Sequence, residues 1–105
     1  MTHDYAYQRR ETFDTFRESK GVKLPERAVI DYAFFAEIEG ADFAGLEAAL
    51  KAKGFRTQRL DDDETLIASV GPIPVTADDI WKYEELATRI AVGFEFFPDG
   101  WELDT

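Results

Sequence analysis

A run of alternating side chains, RAVIDYAFFAEI (residues 27–38), constrains the fold of this chain more than any other segment. Apolar residues occupy every even position from Ile30 to Ile38, whereas the odd positions are mixed and include Val29 and Phe35. Successive side chains of a strand point to opposite faces of its sheet, so this period of two predicts a strand with one fully apolar face. Because the second face is also partly apolar, we expect the strand to lie in the middle of its sheet.

Helix and strand signals continue regularly after this strand. Asp42 is a good N-cap for a helix that Gly54 would end. The polar segment 55–60 then suits an exposed edge strand. The more apolar segment 65–70 suits another central strand, which the following Gly-Pro pair would end.

The best-specified helix begins at Thr76. Thr76 and Asp79 form the Ser/Thr-x-x-Asp/Glu pattern of a capping box, and Gly93 stops the helix. A short strand, 94–97, follows it. A separate amphipathic helix is predicted near the N-terminus, at residues 4–19.

The predicted order is therefore one helix followed by strand, helix, strand, strand, helix and strand. The last six elements form a split βαβ arrangement, and right-handed crossovers place the first and third strands in the centre of an antiparallel sheet. The sequence thus predicts an α+β, ferredoxin-like fold with four antiparallel strands, two helices on one face and an additional N-terminal helix. We divide the chain into an N-terminal helix and linker, 1–26, and a ferredoxin-like domain, 27–105.

The charge of the chain is strongly acidic and unevenly distributed. Its net charge is −10, and residues 28–105 carry six basic and seventeen acidic side chains, a net charge of −11. Such a surface repels phosphate backbones, which disfavours direct nucleic-acid binding, and it attracts basic partners. The sequence has no segment apolar enough to span a membrane and no apolar signal core in its opening residues, so we expect a cytoplasmic location.

No residue pattern indicates catalysis or a cofactor. The chain has no cysteine and one histidine, His3, which leaves too few ligands for a zinc site and only one candidate base for a catalytic triad. The acidic run Asp61–Glu64 lacks the alternating ligands and central glycine of an EF-hand loop. Glu84 and Glu85 are interpreted as an exposed helix face. We therefore expect a non-enzymatic protein with no metal and no cofactor.

Three segments resemble a known family. VIDYAFFAEIEGADFAGLEAALKAKGFRTQ (29–58), VGPIPVTADDIWKYEELATRIA (70–91) and DGWE (99–102) are similar to the RraB family, the protein regulators of ribonuclease E, and to related small ferredoxin-like domains of unknown function. The most specific parts are Phe34-Phe35, the helix end LKAKGF and the DGW triplet. The resemblance implies a ferredoxin-like domain with a non-enzymatic role, which in the family's named member is to bind ribonuclease E and damp RNA decay.

The leading hypothesis is a protein-binding module whose acidic surface meets a basic segment of a partner such as ribonuclease E. The candidate contacts form two sets, which are Asp61, Asp62, Asp63 and Glu64 in the turn between two strands, and Asp99, Trp101 and Glu102 near the C-terminus. Two alternatives stay open. One is a small-molecule sensor or small enzyme on a ferredoxin-like dimer, and the other is an accessory subunit of another complex.

Trp101 raises a separate question because it follows a turn signal, Pro98-Asp99-Gly100. This triplet suits a type I turn with proline at its second position and glycine at its fourth. The turn would fold Trp101 back onto the domain, where its burial would hold the end of the chain in place. The alternative is that Trp101 is a hot spot for a partner.

The N-terminal helix and the sheet together lead to a prediction about packing. The face of the sheet away from the two helices would expose Phe35 and Phe97, which makes it too apolar to face water as one patch. The helix carries Tyr5, Phe13 and Phe16 on one side and is too short to be stable alone. We expect helix 4–19 to pack across that face, in its own chain or in an exchanged homodimer. The alternative is packing at the edge of the sheet, with Phe35 half-exposed.

Overall fold

The computed structural model describes residues 3–19 and 21–104 and shows an α+β architecture with a four-stranded antiparallel sheet and three helices. The strand order is β2-β3-β1-β4, with the first and third strands in the centre. The elements in chain order are α1 (Tyr5–Glu18), β1 (Arg27–Ala36), α2 (Phe43–Ala52), β2 (Arg56–Arg59), β3 (Thr65–Pro74), α3 (Ala77–Val92) and β4 (Phe96–Asp104).

The alternation in β1 separates the two faces of the sheet as predicted. Ile30, Tyr32 and Phe34 are almost fully buried, whereas the odd positions between them are half-buried. We call the buried side the core face and the opposite side the open face. On the core face the hydroxyl of Tyr32 donates a 2.7 Å hydrogen bond to the carbonyl oxygen of Ile80, which ties the central strand to α3. The core therefore lies between the sheet and the helices.

The helix starts follow the predicted caps. The Asp42 carboxylate accepts a hydrogen bond from the backbone N–H of Gly45 at 2.9 Å, and the Thr76 hydroxyl accepts one from the N–H of Asp79 at 3.0 Å. Each cap satisfies a donor that the first helical turn would leave unpaired. Both predicted N-caps are confirmed.

The central strand β3 is longer than expected. A Gly-Pro pair was predicted to end it near residue 70, but pairing with β1 resumes beyond an irregularity between Ala28 and Ile30 and continues to Pro74. Gly71 makes this possible, since its φ is 120° and a Cβ there would lie 2.8 Å from the carbonyl oxygen of Ala28. Glycine here allows two backbones to approach closely and does not stop the strand.

The predicted turn at Pro98-Asp99-Gly100 is also wrong. Strand β4 runs without interruption through this triplet, and the register shifts between Tyr32 and Phe34 of the neighbouring strand. The two residues Asp99 and Gly100 face the single residue Ala33, which makes a β-bulge in which Gly100 has a φ of 92°. Trp101 pairs with Tyr32 and so lies on the core face.

Helix α1 does not cover the open face, which corrects the predicted packing. Its buried residues are Gln8 and Thr12, and both contact α3. Phe16 stacks on Trp101 with ring centroids 5.9 Å apart. The helix therefore packs beside α3 on the core-face side. On the open face Phe35 and Phe97 are half-buried against each other, 6.5 Å between centroids, which was the alternative expectation.

Candidate functional site

The predicted acidic turn is shaped by one of its own carboxylates. The two oxygens of Asp62 accept hydrogen bonds from the Thr65 hydroxyl at 2.6 Å and from the backbone N–H groups of Glu64 and Thr65, both at 2.9 Å. These bonds, that of the Thr65 hydroxyl first, hold the pKa of Asp62 below its usual range. Asp63 has a φ of 60°, which aspartate tolerates better than most residues. Asp62 thus holds the turn, while Asp61, Asp63 and Glu64 project into solvent.

The turn faces the loop between β1 and α2 across a groove of about 540 Å³. We call it the acidic groove and define it by Glu37, Ile38, Glu39, Leu60, Asp62, Asp63 and Glu64. Ile38 is 49% exposed and Leu60 is 38% exposed, so two apolar side chains stand among the carboxylates. The groove therefore combines negative charge with accessible apolar surface.

One cation also lines the acidic groove, and it is already paired. Nη2 of Arg59 lies 2.6 Å from Oε1 of Glu47, and Nε of Arg59 lies 3.0 Å from the same oxygen. The hydrogen bond from Arg59 lowers the pKa of Glu47, so this carboxylate keeps its charge. The positive charge of Arg59 is thus balanced by Glu47, which does not line the groove, and not by the groove carboxylates.

The second predicted set, Asp99, Trp101 and Glu102, lies on β4, at the opposite edge of the sheet from the short strand β2. Asp99 and Glu102 are exposed, and Trp101 is half-buried. A concavity of about 340 Å³ on the open face borders residues 99–102 and also Leu60 and Thr65, which flank the acidic turn. The concavity therefore connects the second set to the residues that flank the acidic turn, while Asp61–Glu64 themselves do not line it.

A second cleft, of about 590 Å³, lies between α1 and the bulge of β4. We call it the α1 cleft. Its polar and aromatic lining comes from α1 and the residues before it, from α3 and from β4, namely His3, Asp4, Tyr7, Gln8, Glu11, Thr12, Thr15, Glu84, Asp99 and Trp101. The cleft therefore joins parts of the chain that are almost 100 residues apart in sequence.

Glu84 of α3 lies at the base of the α1 cleft, and the prediction that it is an exposed helix residue is wrong. It is 5% exposed. Its Oε1 accepts a hydrogen bond from the Thr12 hydroxyl at 2.5 Å, and its Oε2 accepts one from Nε2 of Gln8 at 3.1 Å. The carboxylate is thus held by two neutral groups of the N-terminal helix.

The hydrogen bonds around Glu84 form a connected network. Nε2 of Gln8 also donates to the Thr88 hydroxyl at 2.9 Å, and the Trp101 indole N–H donates to the Thr12 hydroxyl at 3.1 Å. Nε2 of His3 lies 2.7 Å from Oε1 of Gln8. Through these contacts α1 is fastened to α3 and to β4 by polar groups at its buried positions.

Burial decides the protonation of Glu84. Removal of the carboxylate from water raises its pKa to about 7, the hydrogen bonds from Thr12 and Gln8 oppose the shift, and the negative charge of Glu11 adds to it. The carboxyl group therefore exchanges its proton near neutral pH. A titratable group of this kind in a cleft marks a candidate functional site.

Sequence reasoning missed Glu84 although a signal was present. The apolar residues Ile80, Ala87 and Ala91 are buried on this helix, and Glu84 follows Ile80 by four residues and precedes Ala87 by three. Residues at these spacings share one side of a helix. An acidic residue inside an apolar stripe therefore indicates a buried carboxyl group, and its polar partners at positions 8 and 12 show the same spacing of four.

Among residues 3–19 and 21–104, no group of three or more histidine or acidic side chains is arranged to hold a metal ion. Within the same ranges, no helix is both long enough and apolar enough to cross a membrane. The whole sequence matches no protein-family model and no curated protein.

Proposed function

We propose that this chain is a non-enzymatic, acidic protein-binding module whose acidic groove receives a basic segment of a partner protein. The observation that carries the proposal is the groove itself. Five of the twelve residues that line it are acidic, and they surround the exposed side chains of Ile38 and Leu60. A segment that alternates lysine or arginine with apolar residues fits both features.

Charge and apolar surface have separate roles in this interaction. The carboxylates of the groove are exposed, so each adds little affinity but together they speed the encounter with a basic partner. Ile38 and Leu60 offer apolar area that becomes buried when the partner docks. Affinity should therefore depend on both parts, while the association rate should depend mainly on charge.

The fold and family assignments belong to the same proposal. The order β2-β3-β1-β4, antiparallel throughout, supports a ferredoxin-like arrangement. The segments that resemble the RraB family lie at landmarks of this fold, since Phe34 is in the core and Gly100 forms the β4 bulge. The partner we propose is therefore ribonuclease E or a related RNA-decay enzyme, which the chain would restrain in the cytoplasm.

The test is to measure, by calorimetry, the binding of this chain to basic segments of a ribonuclease E homologue from the same source. The measurement is made at low and at moderate salt. Saturable binding that weakens as salt rises supports the proposal. Absence of binding at tens of micromolar at low salt contradicts it.

Two triple variants of equal charge locate the contact. E37Q/E39Q/D63N removes three exposed carboxylates of the acidic groove, and asparagine suits the positive φ of residue 63. The control E18Q/E26Q/D104N removes three exposed carboxylates elsewhere. We expect the groove variant to bind more weakly and the control to bind as the wild type does. Equal weakening in both would assign the effect to net charge alone and remove the groove from the proposal.

A further inference from the structure

Glu84 is a buried acid whose charge no cation balances. Of the ion pairs formed among residues 3–19 and 21–104, none includes Glu84, and its hydrogen-bond donors, Thr12 and Gln8, are neutral. Buried charges in proteins are paired with an opposite charge or with a metal ion, because desolvation of a lone charge is costly. The carboxyl group therefore either holds a proton and is neutral, or is ionised and needs a cation that enters from the cleft.

The α1 cleft has the size and the lining for a small organic cation. Its volume of about 590 Å³ is in the range of small-molecule sites. Three further carboxylates, Asp4, Glu11 and Asp99, stand around its opening, and no lysine or arginine of the described part of the chain lines it. Tyr7, which is 55% exposed, and Trp101 supply aromatic surface, which attracts ammonium groups.

We propose that the α1 cleft binds a small organic ammonium ion, with Glu84 as the buried anionic anchor, Glu11 and Asp99 at the entrance, and Tyr7 and Trp101 as aromatic walls. The site is distinct from the acidic groove and does not depend on it. The occupant is an organic amine and not a metal ion, since the carboxylates among residues 3–19 and 21–104 form no cluster that could hold one. The carboxylate oxygens of Glu84 already accept two hydrogen bonds, and each retains acceptor capacity for an N–H donor.

A proton and an ammonium ion should compete for Glu84. Because burial raises the pKa of Glu84 to about 7, the empty site holds a proton below neutral pH and is ready for a cation above it. The other titratable groups that face Glu84 or share the cleft are Glu11 of α1, Tyr32 of β1, Asp99 of β4, and His3 and Asp4 before α1. Affinity for an amine should therefore rise by about tenfold between pH 6 and pH 8, as the ionised fraction of Glu84 rises.

The experiment is a titration of the full chain with putrescine, followed through the indole N–H signal of Trp101 in NMR spectra. The variant Trp81→Phe removes the other indole and makes the assignment unambiguous. Two probes of the same four-carbon length, 1,4-butanediol and succinate, serve as neutral and anionic controls. The proposal is supported if putrescine shifts the Trp101 indole signal in a saturable way and neither control does. It is overturned if putrescine causes no shift, if 1,4-butanediol causes an equal shift, or if the chain prefers succinate.

Three variants identify the anchor. Glu84→Gln keeps the shape and the hydrogen-bonding capacity of the side chain, and it should weaken putrescine binding at pH 8 about tenfold or more and abolish the pH dependence. Glu85→Gln removes the neighbouring carboxylate, which pairs with Arg89 at 2.9 Å outside the cleft, and should change neither. His3→Gln should retain the pH dependence, and its loss in that variant would overturn the role of Glu84.

The double variant E11Q/D99N covers the case in which Glu84→Gln does not fold. Both residues are exposed, so the fold should tolerate their neutralisation. We expect weaker putrescine binding and a pH dependence that persists but moves to somewhat lower pH, because the charge of Glu11 contributes to the raised pKa of Glu84. Unchanged affinity in this variant would show that the entrance carboxylates do not contact the amine and would overturn the proposed site.

Discussion

The acidic groove and the α1 cleft use the same chemical group, a side-chain carboxylate, in opposite surroundings. In the groove, Asp62 is exposed and its hydrogen bonds lower its pKa. In the cleft, Glu84 is 5% exposed and burial raises its pKa to about 7. Charge that stays in water acts at a distance on partners, whereas charge that is buried acts on the protein's own stability and on whatever enters the cleft.

The largest expected effect is the pH dependence of stability that Glu84 produces. Its pKa in the folded state lies above the ordinary value of 4.5. As pH rises, the unfolded chain therefore releases this proton at a lower pH than the folded chain does. The contribution of Glu84 to stability is complete below pH 4.5 and is lost as pH rises through about 7. The loss is up to about 3 kcal/mol.

Urea denaturation between pH 4.5 and pH 8.5 measures this effect. In the wild type, stability should fall as pH rises through about 7, whereas in Glu84→Gln this fall should be absent. Glu85→Gln, which changes the adjacent residue, should keep that decline. A wild-type curve that overlays the Glu84→Gln curve across the whole range would show that Glu84 titrates as an exposed acid does.

The next effect concerns the neutral partner of Glu84. Thr12→Val removes the hydroxyl that donates to Glu84 and accepts from the Trp101 indole, so the buried carboxylate and the half-buried indole N–H each lose one hydrogen bond. We expect a loss of about 2 kcal/mol in the free energy of unfolding. Thr15→Val is the matched control, since the Thr15 hydroxyl makes a surface bond to the Glu11 carbonyl oxygen and the helix-propensity cost is the same. Equal losses in the two variants would rule out a special role for the buried network.

A smaller effect is expected in the acidic turn. Asp62→Ala removes three hydrogen bonds that shape the turn, so thermal unfolding should occur at a somewhat lower temperature than in the wild type. The pKa of Asp62 lies below 3.8, so its contribution is present above that pH and is lost only as pH falls further. Asp61→Ala, one residue away, should unfold as the wild type does. A larger loss for Asp61 than for Asp62 would contradict the assignment.

The smallest effect on stability is expected from the groove variant E37Q/E39Q/D63N. Its three carboxylates are exposed, and changes at such positions rarely alter the free energy of unfolding by more than about 0.5 kcal/mol. Thermal unfolding compared with the control E18Q/E26Q/D104N checks this expectation. A marked loss of stability in the groove variant alone would mean that these carboxylates maintain the fold.

Local signals in the sequence predicted the elements of the fold well. The alternation around Tyr32 and the caps at Asp42 and Thr76 depend on neighbours within a few residues, and all three behave as expected. The antiparallel sheet with two central strands followed from the order of the elements.

Features that depend on distant contacts were predicted poorly. The strands at Gly71 and Gly100 continue because the neighbouring strand β1 supplies backbone partners, which outweigh the local turn signals. The placement of α1 was missed because the helix was expected to dock through its apolar side. Its buried positions are instead the polar residues Gln8 and Thr12, whose partner is an acid 72 residues from Thr12. The acidic turn was suggested by a charge run alone, whereas the groove that it forms with the loop between β1 and α2, like the α1 cleft, needed the tertiary structure.

The most direct test of the groove as a docking site is the rate at which a basic segment of ribonuclease E associates with the chain. Stopped-flow fluorescence on a labelled segment gives this rate constant at ionic strengths from about 20 to 200 mM. We expect E37Q/E39Q/D63N to associate about tenfold more slowly than the wild type at low salt, with a shallower salt dependence, while E18Q/E26Q/D104N stays close to the wild type. Identical rates for the groove variant and the wild type would contradict the proposed role of the acidic groove.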